Sequence, residues 1–261
     1  MDSEDGWWRL GGNRLIGKRI IHLEEATSTN DVAKELARRG AEEGLVVIAE
    51  TQSRGRGRLG SVWASPRGGI WLSVLLRPKV APINAACITI AAAVSVAEAV
   101  EEVLGVKPQV KWPNDLLIDG RKFCGILAES SIRGERLDFV VLGIGVNANV
   151  KLEELPEELR DSATTLYSAL GRPIPRRRLL DAILRRLELH YSALLQGRFP
   201  EVLERWKALD ITIGRRVVAE GPGGRMAGKV LDVDGDGSLI VQVDGGSVVR
   251  LRAGEVHILE M

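Results

Sequence analysis

Residues 50–66 read Glu-Thr-Gln-Ser-Arg-Gly-Arg-Gly-Arg-Leu-Gly-Ser-Val-Trp-Ala-Ser-Pro and lie between two apolar runs, at residues 45–49 and 70–76, that are typical of buried strands. The glycines of this loop allow backbone N–H groups to turn toward a ligand. Its arginines carry forked donors that suit phosphate or carboxylate groups. We therefore expect a loop that is mobile when empty and closes over an anion. A solvated basic turn, or a contact with nucleic acid, is the alternative interpretation.

The composition argues against a general nucleic-acid binder. The chain has 261 residues, enough for one large domain or for one large and one small domain. Lys and Arg number 36 against 35 Asp and Glu, so the formal net charge is only +1. Because the charges balance, the arginine-rich loop is a local feature and no nucleic-acid partner is expected.

Cysteine and histidine usage points to a reducing compartment and away from a zinc site. The two cysteines, Cys87 and Cys124, are far apart in apolar contexts, and the three histidines form no cluster with them. The first residues are acidic where a secretory signal requires positive charge, and no apolar run is long enough to span a bilayer. We therefore expect a cytoplasmic protein without a membrane contact.

Hydrophobic periodicity predicts strands and helices in alternation through the first part of the chain. Residues 7–22 are expected to form a strand or hairpin, too short for a DNA-binding helix-turn-helix domain. A helix capped by Ser28 or Thr29 is expected to end near Gly40, and an apolar helix to span residues 83–104. Further strands are predicted at residues 106–111, 116–118, 122–129 and 137–146. This pattern fits an α+β fold with a mixed sheet packed with helices.

A long helix and a small β-rich region complete the predicted fold. An amphipathic helix is expected over residues 175–195. The charges Arg176-Arg177-Arg178 at its start are interpreted as a solvated face. Toward the C-terminus five short β-like runs alternate with glycine-rich turns. We therefore predict a main domain over residues 1–211 and a small β-barrel over residues 212–261.

Three further blocks carry candidate chemistry, each with an alternative interpretation. Ser28-Thr29-Asn30 places hydroxyl and amide groups at a helix N-terminus, where they would hold a polar ligand head or only cap the helix. Lys111 ends a strand before a rigid Trp112-Pro113 turn, so its charge is either held for a phosphoryl or acyl-adenylate transition state or simply exposed. Gly143-Ile144-Gly145-Val146-Asn147 leaves one strand face bare, which admits a flat ligand or only a closely packed neighbour.

The order of these blocks, followed by a small β-domain, resembles the biotin protein ligases over nearly the whole chain. Gly-Arg-Gly-Arg-x-Gly at residues 55–60 together with Lys-Trp-Pro-Asn-Asp at residues 111–115 is highly specific, and lipoate and octanoate transferases are not expected to carry both. The resemblance implies a class II synthetase-like catalytic domain and a C-terminal SH3-like barrel. It also implies that biotin and ATP, with Mg²⁺, form biotinyl-5′-AMP, from which biotin passes to one lysine of a biotin carboxyl carrier domain of a carboxylase.

The same resemblance implies roles for individual residues. Ser28, Thr29 and Asn30 would line the ureido end of biotin, and Gln52 would contact biotin beside the reacting carboxylate. Lys111 would be catalytic by bridging this carboxylate and the α-phosphate of ATP. The remaining assignments are Arg58, catalytic and in contact with both substrates, Arg56 and Gly57 for biotin, and Gly55, Arg56, Trp63, Lys111, Lys122 and Asn147 for ATP. No residue is assigned as a metal ligand.

Two departures from the family pattern carry their own predictions. Ser61 stands where some members have an additional arginine, so the residue expected for one phosphate contact is replaced. Members that double as repressors carry an N-terminal winged helix, which this sequence lacks, so ligase activity without DNA regulation is predicted. A homodimer through sheet edges is expected. The alternatives are a lipoate or octanoate ligase of the same fold and a non-catalytic carrier-binding module.

Overall fold

The larger sheet is mixed, as the sequence predicted. The computed structural model of the protein describes residues 14–79, 85–134, 136–221 and 224–259. The strands of this sheet are β1 (Ile20–Ala26), β2 (Val46–Gln52), β3 (Ile70–Leu76), β4 (Gln109–Lys111), β5 (Asp115–Ile118), β6 (Arg121–Arg133) and β7 (Arg136–Val146). Their order is β1-β2-β3-β7-β6-β5-β4. β1 and β2 run parallel, and every other neighbouring pair runs antiparallel.

Helices cover both faces of this sheet. They are α1 (Thr29–Arg38), α2 (Ala85–Leu104), α3 (Leu166–Leu170), α4 (Arg176–Leu195) and α5 (Phe199–Lys207). Successive residues of a strand point to opposite faces, so Val46 of β2 packs in the main core with α2 and α4, while Val47 packs with Ala33 and Ala37 of α1. α2 is buried along most of its length, which explains its nearly uniform apolar sequence.

The smaller sheet is entirely antiparallel. Its strands are β8 (Arg216–Gly221), β9 (Gly224–Val233), β10 (Leu239–Val243), β11 (Val248–Leu251) and β12 (Glu255–Ile258), in the order β11-β10-β9-β8-β12. Alternate residues such as Val217, Ala219, Val230 and Val241 are fully buried beneath it. The prediction of five short strands is confirmed, and the sheet fits an SH3-like domain.

The segment between the two sheets is not a free linker, because it is hydrogen-bonded to β4. The backbone N–H of Ile211 donates to the carbonyl oxygen of Val110 at 3.0 Å, and that of Val110 donates to Leu209 at 2.9 Å. The outer edge of β4 is therefore covered by the segment that leads into the smaller sheet. The division at residues 211 and 212 stays a prediction.

Several details of the predicted elements differ in the structure. β4 is shorter than predicted because Pro108 has no N–H to donate to a neighbouring strand. The interpretation of Arg176 as part of a solvated face is wrong: its Nη1 donates to Glu50 Oε2 and to the carbonyl oxygen of Gly69, both at 3.0 Å. Residues 7–13 of the predicted first strand or hairpin and residues 83–84 of the predicted apolar helix lie outside the described residues.

Two predictions about composition can be compared with the structure. Cys87 and Cys124 are both buried, as expected for core residues. Burial raises the pKa of the Cys87 thiol to about 12 and raises the pKa of the Cys124 thiol as well. Among the described residues, the helices are all too short or too polar to cross a membrane.

Candidate functional site

A cavity of about 540 Å³ opens between the N-terminus of α1, the central strands of the larger sheet and β12 of the smaller sheet. The predicted site residues on its wall are Ser28, Thr29, Asn30, Gln52, Arg56, Gly57, Arg58, Trp63, Lys111, Lys122 and Asn147. Gly55 is not among the described residues that form the wall. A Cβ there would stand 2.3 Å from the carbonyl oxygen of Trp63, so this glycine allows two backbone segments to meet. Its ATP contact stays a prediction.

Buried polar groups line the end of the cavity at the start of α1. Ser28 occupies the N-cap position, but its hydroxyl makes no capping hydrogen bond, so capping does not explain why it is there. The hydroxyl of Ser73, which projects from the middle of β3, lies 2.7 Å from Thr29 Oγ1 and 2.5 Å from Asn30 Oδ1. Hydroxyl and amide groups at a helix N-terminus suit a small polar head group with both donors and acceptors.

Gln52 joins this polar end to the second strand. Its Oε1 accepts a hydrogen bond from the backbone N–H of Thr29 at 2.8 Å, and its Nε2 donates to Ser65 Oγ at 2.8 Å. The side-chain amide therefore satisfies one of the free N–H groups at the start of α1. It also lies on the cavity wall, and its contact with biotin beside the reacting carboxylate stays a prediction.

Residues 53–63 form the flap, a short hairpin-like excursion between β2 and β3. The backbone N–H of Gly57 donates to the carbonyl oxygen of Ser61 at 2.8 Å. The Ser61 hydroxyl donates to the carbonyl oxygen of Arg58 at 2.8 Å, so Ser61 closes the turn. Leu59 has a φ of 52°, and its side chain is 78% exposed, as is Val62 at 77%. The flap tip thus presents apolar groups to solvent.

The two flap arginines of the predicted site point in different directions. Arg56 forms a bidentate ion pair with Asp31 of α1, with both N–O distances at 2.6 Å. Arg58 instead reaches the smaller sheet, where its Nη1 donates to the carbonyl oxygen of Gly254 at 2.8 Å. Burial lowers the pKa of the Arg58 guanidinium, and the nearby charges of Asp115 and Glu255 oppose this shift. Arg58 remains a cation because its ordinary pKa is far above neutrality.

The bare glycine face predicted in β7 is covered by the indole of Trp63. Gly145 pairs with Gly125 of β6, and a Cβ at either position would lie within 3 Å of the Trp63 ring. Lys122 Nζ stands 5.1 Å from the ring centroid. The indole Nε1 is buried without a hydrogen-bond partner among the described residues. Gly125 and Gly145, on adjacent strands, therefore form a flat surface, and the Trp63 indole of the same chain packs on it.

Lys111 supplies an uncommitted cation on the cavity wall. Its ammonium group has no hydrogen-bond or ion-pair partner among the described residues, whereas Lys122 Nζ lies 2.6 Å from Asp115 Oδ1. The next residue, Trp112, fixes the strand end because its Nε1 donates to the carbonyl oxygen of Gly237 at 3.1 Å. Lys111 is therefore held in place beside the cavity, and its charge is free for a ligand.

Asn147 brings a second unsatisfied polar atom to the same cavity. Its Nδ2 donates to the carbonyl oxygen of Thr164 at 3.1 Å, while its Oδ1 is buried and has no donor among the described residues. A buried acceptor without a partner costs free energy of about 1–3 kcal/mol. A ligand donor at this point would remove that cost.

Sequence reasoning missed several residues that shape the cavity. Asp31 and Glu129 hold polar groups of the site but stand in unremarkable sequence positions, and no local signal identifies them. Ser73 is fully buried in the structure. Its sequence signal is that a serine interrupts the apolar run of residues 70–76, where a buried hydroxyl needs a hydrogen-bond partner. β12 adds Glu255, Val256 and His257 to the wall.

Known sequences match this chain along most of its length. Residues 23–147 match the sequence model of the Biotin/lipoate A/B protein ligase family, and residues 212–259 match that of the Biotin protein ligase C terminal domain. The chain is 38% identical over 261 residues to the biotin--[acetyl-CoA-carboxylase] ligase of Mycobacterium tuberculosis, covering 94% of this chain and 93% of that protein. It is 36% identical over 245 residues to the bifunctional ligase/repressor BirA of Bacillus subtilis, covering 94% of this chain and 75% of that protein.

Solved structures show the same architecture. The biotin protein ligase of Aquifex aeolicus in complex with biotin and ATP superposes with a TM-score of 0.79 at 30% identity, covering 94% of this chain and 100% of that chain. The biotin protein ligase of Leishmania major in complex with biotin superposes with a TM-score of 0.60 at 25% identity, covering 90% of this chain and 99% of that chain.

Proposed function

The chain belongs to the biotin protein ligase family, and we propose that it activates biotin with ATP and then transfers it to a carrier lysine. In the first step the biotin carboxylate attacks the α-phosphate of ATP, giving biotinyl-5′-AMP and pyrophosphate. In the second step a lysine amine attacks the acyl carbon, an amide bond forms, and AMP leaves. The observation that carries this proposal is the uncommitted ammonium of Lys111 in one cavity with the Arg58 guanidinium and the polar groups at the start of α1.

The positive charges of Lys111 and Arg58 would lower the activation barrier of the first step. A carboxylate and a phosphate repel each other as they approach, and negative charge builds up on the leaving pyrophosphate as the new bond forms. Lys111 would lie between the two groups and reduce this repulsion, while Arg58 would offset charge on the phosphates. The Arg58 guanidinium is held by the Gly254 carbonyl, and the strand end that carries Lys111 is held through Trp112, so little reorganisation is needed when the charge develops.

The donor set is compatible with Mg²⁺ that arrives with ATP. Mg²⁺ prefers oxygen ligands, retains several waters and is held by few carboxylates. Asp115 and Glu255 contribute carboxylates to the cavity wall, so phosphate oxygens, water and one of these groups could complete its coordination. When bound, Mg²⁺ neutralises phosphate charge.

The acceptor is proposed to be the carrier domain of a biotin-dependent carboxylase. Relatives named biotin--[acetyl-CoA-carboxylase] ligase support this class of acceptor. Biotinyl-5′-AMP carries its own leaving group, so the second step needs no covalent enzyme intermediate. The need for intracellular ATP supports a cytoplasmic location.

We also propose that two copies pair through β1, the edge of the larger sheet away from β4. Size measurement in solution tests this pairing.

One assay separates this function from its alternatives. The protein is incubated with Mg-ATP, a carrier domain and either biotin or lipoate, and the carrier mass is measured. A biotin ligase adds one biotinyl group to one lysine and shows biotin-dependent exchange of pyrophosphate into ATP. Exchange with lipoate alone would identify a lipoate ligase, and no exchange with either acid would identify a non-catalytic binding module.

A further inference from the structure

Arg56, one of the flap arginines of the predicted site, forms an ion pair with a residue outside that site. The Arg56 guanidinium meets the Asp31 carboxylate in a parallel bidentate pair, with both distances at 2.6 Å. A bidentate pair of this kind fixes the orientation of both side chains as well as their distance. It connects the middle of the flap to the first turn of α1, directly after Asn30. Arg56 is thus committed to the protein, in contrast to Lys111.

Glu129 on β6 extends this contact into a cluster. Its Oε1 lies 2.5 Å from Lys34 Nζ, its Oε2 accepts from Asn30 Nδ2 at 2.7 Å, and the same oxygen lies 3.4 Å from Arg56 Nη2. Two carboxylates, those of Asp31 and Glu129, therefore contact the Arg56 side chain, and Lys34 is the second cation of the cluster. Burial alone would raise the pKa of Glu129, but the hydrogen bonds from Lys34 and Asn30 and the nearby charges lower it. The carboxylate is ionised at neutral pH.

Asn30 belongs both to this cluster and to the polar end of the cavity. Its Oδ1 lies 2.5 Å from Ser73 Oγ, and its Nδ2 donates to Glu129. The side chain rests on Gly143, where a Cβ would be 2.4 Å from Asn30 Oδ1. Asn30 therefore has little room to move independently. A chain of direct contacts runs from the head-group end of the cavity through Glu129 and Arg56 to the flap.

We propose that Asp31 and Glu129 are positioning residues that hold the flap over the bound adenylate through Arg56. This inference rests on the proposed function for the identity of the ligand. The contacts of Arg56 with Asp31 and Glu129, which we call the clamp, come from the structure. Ion pairs with side chains 27–43% exposed add little to folding stability. Their geometry fits a different role, which is to fix the orientation of a short loop whose tip is exposed to solvent. Retention of a reactive intermediate requires such a loop to stay closed between the two steps.

The test compares Asp31→Asn and Glu129→Gln with the matched control Glu35→Gln. Glu35 also lies on α1 and pairs with an arginine, Arg39, but both side chains are exposed. We expect biotinyl-5′-AMP to dissociate from Asp31→Asn about tenfold faster than from the wild type, a difference of about 1.4 kcal/mol. The KM for biotin should rise, while single-turnover adenylation at saturating biotin should change less than about threefold. Glu35→Gln should match the wild type in all three measurements.

A second readout needs no ligand. Limited digestion with trypsin should cut the flap after Arg58 faster in Asp31→Asn and in Glu129→Gln than in the wild type or in Glu35→Gln. Asp31→Glu, which keeps the charge, should lie between wild type and Asp31→Asn.

The outcomes separate this inference from the proposed function. Failure of the wild type to form any adenylate would contradict the proposed function, while faster cleavage in Asp31→Asn would still support the clamp. Unchanged cleavage and unchanged adenylate release in the folded Asp31→Asn and Glu129→Gln variants would overturn the clamp. Equal loss of adenylation and of adenylate retention would overturn it as well, because the residues would then act on the chemical step.

Discussion

At the scale of single residues, the site combines satisfied and unsatisfied polar groups. The side chains of Gln52 and Arg56 form hydrogen bonds with other protein groups. The Lys111 ammonium and the Oδ1 atom of Asn147 have no such partner among the described residues. Satisfied groups hold the cavity in shape, and unsatisfied groups gain most from a ligand. The two kinds of residue lead to different expectations for substitution.

Replacement of Lys111 by Ala should abolish most of the activity without affecting the fold. The adenylation rate should fall by about a hundredfold or more if the ammonium contributes about 3 kcal/mol to the transition state. The free energy of unfolding should stay within about 0.5 kcal/mol of the wild type, since the ammonium makes no hydrogen bond or ion pair with the described residues. Biotin-dependent pyrophosphate exchange and urea unfolding measure the two quantities. Lys229→Ala, an exposed lysine of β9, is the control, and normal exchange in Lys111→Ala would remove Lys111 from its proposed role.

Substitution of Gly145 by Ala should displace the Trp63 indole. The added Cβ would lie 2.5 Å from Trp63 Nε1, and a contact this short forces the ring to move. If Trp63 contacts ATP as predicted, the KM for ATP should rise by about tenfold or more, while the KM for biotin changes less. Gly245→Ala is a matched control because a Cβ there meets nothing within 4 Å. An unchanged KM for ATP would separate the indole from ATP binding.

At the scale of elements, the sequence predicted what is local and missed what is distant. The hairpin turn at Asp119-Gly120, with φ values of 50° and 74°, follows from the residues of the turn alone. The cavity-lining strands and the start of α1 were predicted from periodicity and motif order. The partners of Arg56 and Arg58 were not, since Asp31 and Gly254 are brought to them only by the tertiary fold. Contacts of this kind depend on sheet order, which local patterns do not encode.

Three helices of the larger domain meet at one carboxylate. Glu98 of α2 lies 2.9 Å from His190 Nε2 and 3.1 Å from Arg186 Nη1 of α4, and 2.9 Å from Arg205 Nη1 of α5. Burial would raise the pKa of Glu98, but the hydrogen bonds and charges of these partners hold it below its usual range. The carboxylate therefore favours the folded state only where it is ionised.

Glu98→Gln should destabilise the protein in a pH-dependent way. At neutral pH we expect a loss of about 1–3 kcal/mol in the free energy of unfolding, as for a buried charged hydrogen bond. Because the folded-state pKa is depressed, this contribution is complete above the unfolded pKa and is lost as the pH falls through the folded pKa. The difference between wild type and variant should therefore shrink below about pH 4 in urea titrations. Glu204→Gln on the exposed side of α5 is the control, and a difference that does not vary with pH would contradict the assignment.

At the scale of the whole molecule, the smaller sheet completes the site. It supplies the carbonyl oxygen of Gly254 to Arg58, that of Gly237 to Trp112, and part of the cavity wall through β12. Lys111 and Arg58 therefore depend on contacts from beyond the larger sheet. A change in the smaller sheet should be measurable at the reacting groups.

Gly254→Ala tests this dependence. Gly254 has a φ of 147°, and a Cβ would stand 2.3 Å from the carbonyl oxygen of Glu220, so alanine forces the Arg58 acceptor to shift. The adenylation rate should fall by about tenfold with little change in the KM for biotin. Gly246→Ala, which also has positive φ but meets nothing within 4 Å, controls for backbone strain. Equal rates in the two variants would show that the Gly254 carbonyl does not position Arg58.

The burial of both cysteines makes the chain ready for site-specific spectroscopy. Cys87 and Cys124 lie in the core with thiol pKa values raised by burial, so neither presents the thiolate that a maleimide dye requires. A Leu59→Cys substitution would place one reactive sulfur at the exposed tip of the flap in an otherwise unaltered background. A fluorophore at that point would follow opening and closing in real time during a single catalytic cycle.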